Sequence, residues 1–258
     1  MISVIICSID DQKFARVTDS FAQAFGADSI HVIRVQDAKG LAEGYNRALP
    51  HATGELVIFC HDDIEILSSD FKEKLLGHMQ RADLVGVAGA RRVVSGKWAN
   101  ACPPHIFGQV ASFDPQTNLF GVWLWGIPAR HISNIKILDG VFMCAKREVA
   151  QAIPFDAQTF DGFHGYDVDF SFRAYQAGFR LAVGCDLLLL HWSTGNWNAD
   201  WERYEQAFRQ KHAGQLDVMP QRGMRTGIAS CRTRQELVEL MTPAWDGMEH
   251  LWNVTSRP

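Results

Sequence analysis

The stretch Gly54-Glu55-Leu56-Val57-Ile58-Phe59-Cys60-His61-Asp62-Asp63-Ile64 decides how the chain is read. A short apolar run bounded by glycine and rich in β-branched and aromatic residues predicts a strand buried on both faces, as in a parallel sheet. Its carboxyl end carries an imidazole and two adjacent carboxylates, at the edge where open α/β sheets bind their ligands. Neighbouring carboxylates repel, so such an end needs a cation or a hydrogen-bond network. The competing reading is a solvated turn in which Asp62 or Asp63 caps the next helix.

Upstream, residues 2–7 predict a first strand, followed by the polar loop Ser8-Ile9-Asp10-Asp11. Phe14, Val17, Phe21 and Phe25 recur at helical spacing, with Gly26 as a stop signal. His31–Val35 predicts a second strand, and Leu41, Tyr45, Leu49 and Ala52 one face of a second helix. Strand, helix, strand, helix, strand within about sixty residues is a βαβαβ half-sheet suited to a nucleotide.

Downstream, Ser68-Ser69-Asp70 can cap a helix bearing Phe71, Leu75, Leu76 and Met79, and Leu84–Gly89 predicts a strand. Between Arg91 and Ile137 periodicity disappears in a segment containing Trp98, Trp123 and Trp125. It is too long for a plain connection, which predicts a functional loop or a small antiparallel ribbon. Leu138–Cys144 predicts a strand leading to a short helix near Arg147–Ile153. The glycine-rich run Phe160–Gly165 then feeds a helix with Asp167 and Asp169 in its first turn and Gly178 near its end. Strand-like Arg180–Val183 and Leu187–Leu190 follow, ending in His191-Trp192-Ser193. Asp200 can cap a helix through Trp201, Tyr204 and Phe208, and Gln235–Met241 predicts a last short helix.

The 258 residues are 47% hydrophobic and 21% charged, enough for one large α/β domain or two small ones with a sizeable core. A net charge of −4 gives no support for binding nucleic acid or a membrane surface. The six cysteines (Cys7, Cys60, Cys102, Cys144, Cys185, Cys231) lack paired spacing and read as buried reduced thiols. No basic leader or bilayer-length apolar run is present, which predicts a cytoplasmic protein without a transmembrane segment.

Three polar clusters stand at element ends: His61-Asp62-Asp63, Asp167-x-Asp169 and His191. Carboxylates with an imidazole suit a divalent cation, Mg²⁺ or Mn²⁺, that would neutralise a diphosphate. His191 could complete a shell begun by Asp63 if its strand lies beside the anchoring one. Asp167 could also serve as a general base toward a hydroxyl. The plainer readings are a hydrogen-bonded histidine at a strand end and two aspartates favoured by a helix dipole. Trp123, Trp125, Trp192 and Trp197 read either as packing residues or as sugar-stacking faces. Arg222, Arg225, Arg232 and Arg234 read as a solvated basic surface or as a clamp on a diphosphate.

In order and spacing these motifs resemble the family 2 type glycosyltransferases of GT-A fold, most of all the streptomycin-biosynthesis-type glycosyltransferase-like branch. The likeness is carried by Ile2–Ser8, Ala42–Ala48, Ala52–Glu55, Phe59–Asp63, Leu138–Phe142, Phe160–Ser171 and His191, across residues 1–212. It implies an α/β GT-A domain with a mostly parallel central sheet and flanking helices. Residues 1–90 would form the Rossmann-like nucleotide-sugar half, 91–212 the acceptor and catalytic half, and 213–258 a C-terminal extension. His61-Asp62-Asp63 stands at the family's Asp-x-Asp position, with His61 replacing the Asp usually near the ribose. The resemblance implies that Asp63 and His191 bind the metal, that Asp167 is the catalytic base, and that Asp169 is its neighbouring carboxylate. Ser8, Asp10, Asp37, His61 and Asp62 would contact the donor, a nucleotide diphosphate sugar of the UDP type. The implied reaction is inverting transfer to a carbohydrate or other hydroxyl acceptor. Two alternatives stay open: a non-catalytic nucleotide-sugar or carbohydrate-binding protein, and a metal-dependent phosphohydrolase or nucleotidyltransferase.

Overall fold

The computed structural model describes residues 1–126, 129–193, 199–218 and 227–242. Trp197, Arg222 and Arg225 lie outside the described residues. Strand β1 (Ile2–Cys7) leads into helix α1 (Asp11–Phe25). The Asp10 carboxylate caps this helix, accepting from the backbone N–H groups of Gln12 and Lys13 at 2.8 and 3.0 Å. It thereby satisfies donors that a first helical turn leaves open. Gly26, at φ 82°, ends the helix in a conformation that costs glycine little.

Strand β2 (Ile30–Val35), helix α2 (Leu41–Ala48) and strand β3 (Leu56–Cys60) complete the expected unit. β1 lies between β2 and β3, parallel to both. Ile5, Val57 and Phe59 share a core with Tyr45 of α2, while Val4, Ile6 and Ile58 share another with Val17 and Phe21 of α1. Alternate residues thus enter two cores. The strands read as unbroken apolar runs because water reaches neither face.

The chain continues through β4 (Ile64–Ile66), α3 (Phe71–Arg81), β5 (Leu84–Gly86), β6 (Ala88–Ala90), β7 (Ile106–Asp114) and β8 (Leu119–Trp125). Next come β9 (His131–Ile135), β10 (Ile137–Leu138), β11 (Phe142–Lys146), α4 (Arg147–Ala152) and α5 (Tyr166–Gln176). The last described elements are β12 (Leu181–Gly184), β13 (Leu189–His191), α6 (Ala199–Lys211), β14 (Gly227–Cys231) and α7 (Arg234–Met241). One seven-stranded sheet has the order β2-β1-β3-β11-β5-β12-β9, and a second runs β10-β6-β7-β13-β4 with β8 and β14 extending from β7. No helix among the described residues is long and apolar enough to cross a membrane.

The central sheet is mostly parallel but not purely so: β11 enters antiparallel between β3 and β5, and β9 closes the far edge antiparallel to β12. The expected strand Leu84–Gly89 is two strands, β5 in the first sheet and β6 in the second. Glycine permits this crossing: a Cβ on Gly108 of β7 would lie 2.4 Å from the Val87 carbonyl oxygen. Leu138–Cys144 divides likewise into β10 and β11, leaving Asp139-Gly140-Val141 as a turn between the sheets. Leu76, expected on the buried face of α3, is 38% exposed, while His78 is buried in its place.

The aperiodic segment forms the antiparallel ribbon β7–β8, with Gly108 opposite Trp125 and Asp114 opposite Leu119. β14 adds a further strand against β8, and α7 sets Leu237 and Met241 into a small core with Phe120, Val122 and Leu190. Gln109 Nε2 donates to the Met241 carbonyl at 2.7 Å. Residues 227–242 are therefore packed onto the ribbon.

Candidate metal and acid–base site

His61, Asp62 and Asp63 form the turn between β3 and β4, at the carboxyl edge of the first sheet. β13 pairs antiparallel with β4 and sets His191 opposite Ile64, one position beyond Asp63. The neighbour of His191 is thus the strand after the turn, and not the anchoring strand β3 as the sequence suggested. The Trp192 N–H donates to the Asp63 carbonyl at 2.8 Å and fixes the approach.

His191 Nε2 lies 3.0 Å from Asp63 Oδ1, 3.2 Å from His61 Nδ1 and 3.1 Å from Ser193 Oγ. One ring nitrogen carries either a proton or a lone pair, so it cannot satisfy three partners at once. A cation relieves that convergence. One donor atom from each of His61, Asp63 and His191 lies within 4.8 Å of the others, and two imidazoles with a carboxylate are a plausible divalent-ion donor set by chemistry. Burial would raise the Asp63 pKa, but the hydrogen bond and charge of His191 hold it well below the usual carboxylate range. Burial and the neighbouring His191 push His61 down to about 4, which keeps its ring neutral and able to ligate at pH 7.

From His61 a polar path leads to α5. His61 Nε2 is 3.1 Å from the Tyr166 hydroxyl, which donates to the Gly140 carbonyl at 3.3 Å. The Gly140 N–H donates to Asp167 Oδ2 at 2.7 Å. Gly165, at φ 77°, turns the chain into α5 so that Asp167 falls in the first turn. Burial and the nearby Asp139 charge raise Asp167 to about 7, against hydrogen bonds from the Val168 and Gly140 N–H groups. Asp139 is held by Trp98 Nε1 at 2.7 Å and the Val141 N–H at 2.9 Å. Sequence reasoning gave no role to Asp139 or Tyr166. Their signal was the motif Leu138-Asp139-Gly140 and a tyrosine beside the acidic helix start, neither of which reveals contact across more than twenty residues.

The other expected site residues divide between this edge and elsewhere. Buried Ser8 donates to Asp62 Oδ2 at 2.7 Å, which ties the end of β1 to the turn. Asp10 is exposed and caps α1. Asp37 is 79% exposed and pairs with Arg47 at 2.9 Å. Asp169 faces Arg173 and Lys211, each at 2.7 Å, and the His212 imidazole at 2.9 Å. Its carboxylate is fully buried and fastens α5 to α6, so the geometry gives it a structural part. Trp123 and Trp125 stack with centroids 6.1 Å apart, Trp98 meets Trp125 edge-on, and Trp192 packs on Phe113. Arg234 pairs with Glu65 and takes no part in the cluster.

Comparison with solved structures gives the same architecture. A mannosyltransferase from Pyrobaculum calidifontis, in complex with GDP-Man and Mn²⁺, is 14% identical with a TM-score of 0.50, over 85% of this chain and 65% of that one. GalNAc-T7 with UDP, GalNAc and Mn²⁺ is 12% identical with a TM-score of 0.50, over 77% of this chain and 45% of that one. The chain thus spans less than two thirds of either structure. The protein called ATP synthase subunits region ORF 6, from Fuscovulum blasticum, is 24% identical over 220 residues, 80% of this chain and 82% of that protein. Residues 3–213, which include both halves of the polar path and His191, match the profile of one family, and on that match the chain belongs to the glycosyltransferase-like family.

Proposed function

We propose that the protein transfers a sugar from a nucleotide diphosphate sugar, of the UDP type, to a hydroxyl acceptor, with inversion and with a divalent cation. The observation that carries this reading is the continuous path from His61, Asp63 and His191 through Tyr166 and Gly140 to Asp167. It joins a cation-holding end to a carboxylate poised for proton transfer. The GDP-Man and Mn²⁺ named with one fold relative and the UDP, GalNAc and Mn²⁺ named with the other support it.

His61, Asp63 and His191 would hold the cation, which supplies positive charge to a departing diphosphate. Two nitrogen donors favour Mn²⁺ over Mg²⁺, whose preference is for oxygen. Tyr166 steadies His61, and Ser8 steadies Asp62 at the donor side. Asp167 takes the acceptor's proton as that oxygen bonds to the anomeric carbon and the bond to the diphosphate breaks. A single displacement needs no covalent sugar intermediate. The reaction is proposed for the cytoplasm, where the six unpaired cysteines stay reduced.

Calorimetry with UDP, GDP and dTDP, with and without Mn²⁺, tests the reading. Binding of UDP that requires both Mn²⁺ and Asp63, and disappears in Asp63→Ala, is the expected result. Absence of nucleotide binding under every condition sinks it. Turnover releasing nucleoside monophosphate would point instead to chemistry at phosphorus, and binding without turnover to a non-catalytic module.

A further inference from the structure

Trp98, Trp123 and Trp125 take no part in the polar path, and the second sheet decides which way two of them face. Residues paired across neighbouring strands share a face, as do residues two apart along one strand. His191 of β13 pairs with Ser112 of β7, and Ser112 pairs with Gly121 of β8. Trp123 and Trp125 follow Gly121 at two and four positions, so they stand on the face that carries His191. The opposite face is occupied: Ala111, Phe120, Val122 and Leu190 pack there with Leu237 and Met241 of α7.

The row of indoles is fastened at both ends to the polar path. Trp123 Nε1 donates at 3.2 Å to the hydroxyl of Ser112, the neighbour of His191 in the sheet. Trp123 and Trp125 lie nearly parallel, with planes 15° apart and centroids at 6.1 Å. Trp98 meets Trp125 edge-on at 5.0 Å, and its own Nε1 donates to Asp139 Oδ2 at 2.7 Å. Asp139 precedes Gly140, whose N–H donates to Asp167. The row therefore runs from the cation-holding cluster to the carboxylate proposed as base. Trp98 is buried and anchors it, whereas Trp123 and Trp125 are half-buried and keep indole surface exposed.

Gly121 keeps the row open. A Cβ there would lie 3.4 Å from Ser112 Oγ and 3.9 Å from Trp123 Nε1. Its backbone lies outside the left-handed region, so conformation does not demand glycine here. Glycine weakens a strand interior and often marks the close approach of another molecule.

The chemistry of this surface selects its occupant. Indole faces cover apolar C–H groups, the Asp139 carboxylate accepts, and Ser112, while accepting from Trp123, keeps its own proton to give. A pyranose presents that combination, with C–H groups on a ring face and hydroxyls around its rim. An alkyl chain could cover the same indoles but would offer nothing to either polar end. We propose that Trp123 and Trp125, flanked by Ser112 and Asp139, form the acceptor subsite, and that the acceptor is a carbohydrate whose pyranose ring packs on the indoles. Its role as acceptor rests on the transferase reading, in which Asp167 takes the acceptor's proton; sugar binding itself does not.

Calorimetry on the full chain without nucleotide or Mn²⁺ tests this with methyl glucopyranoside, maltose, cellobiose, lactose and, as an apolar alcohol, n-octanol. At least one of the sugars is expected to bind saturably. Trp125→Ala should weaken that binding about fivefold or more, and Trp125→Tyr, which keeps an aromatic face, should hold it within about twofold. Gly121→Leu removes no indole and should weaken binding as Trp125→Ala does, by covering Trp123. No sugar binding, sugar binding indifferent to both Trp125→Ala and Gly121→Leu, or binding of n-octanol alone overturns the proposal. Sugar binding sensitive to both substitutions, in a protein that binds no UDP with Mn²⁺, would uphold the carbohydrate site and remove the transferase reading instead.

Discussion

Asp167 and Asp169 stand two positions apart on α5 and meet opposite surroundings. Burial and the Asp139 charge push Asp167 up to about 7, whereas His212, Arg173 and Lys211 hold Asp169 below the ordinary range despite its burial. As a base, Asp167 acts only when ionised, so kcat/KM should rise about tenfold per pH unit below pH ~7 and level off above it. A profile flat from pH 5 to 8 would remove Asp167 from that role. Its folded pKa exceeds the unfolded value of about 3.9. Between those values the native state retains a proton the unfolded chain has lost, so stability falls as pH rises through the window. Asp167→Asn should therefore raise the thermal midpoint at pH 8 while abolishing transfer and sparing donor binding.

Asp169 has the reverse sign. Its contribution to stability is complete above the unfolded carboxylate pKa and is lost as pH falls through the lower, folded value. Asp169→Asn leaves Arg173 and Lys211 facing a neutral amide beside His212, and denaturation in urea should register a loss on the order of 3 kcal/mol. A variant of undiminished stability that cannot catalyse would return Asp169 to the chemistry.

Among elements, the crossing between the two sheets is the most constrained. β5 and β6 are consecutive in the chain yet lie in different sheets, and β7 passes Val87 at a distance only glycine allows. Gly108 has φ 140°, so Gly108→Ala meets both a backbone clash and a disfavoured conformation. A loss of about 2 kcal/mol or more in chemical denaturation is expected, with full stability counting against this account of the crossing. The same crossing places Asp139 in its turn, since β10 and β11 separate there. Helix α3 has two faces along its length: Phe71, Leu75 and Met79 pack into the core, while Gly77, His78 and Arg81 line an open cleft against β9.

Across the whole molecule, the first sixty residues were legible because their signals are local. Strand runs, helical spacing and the Gly26 stop each act within a few residues, and β1, α1, β2, α2 and β3 follow them closely. The motif at His61–Asp63 was legible for the same reason, as were Asp167 at a helix start and His191 at a strand end. Leu84–Gly89 and Leu138–Cys144 were misread as single strands because buried strands have no polar face to betray a change of sheet. Sequence by itself determined the α/β class, the elements of the first sixty residues, and the polar residues able to hold a cation or a proton. Only the tertiary structure decided that β4 brings His191 to Asp63, that Tyr166 and Gly140 connect His61 to Asp167, and that Asp169 turns toward Arg173, Lys211 and His212. The reason is that each of these depends on which strands pair and which helix faces meet, and such contacts join residues far apart in the chain whose local patterns carry no record of one another.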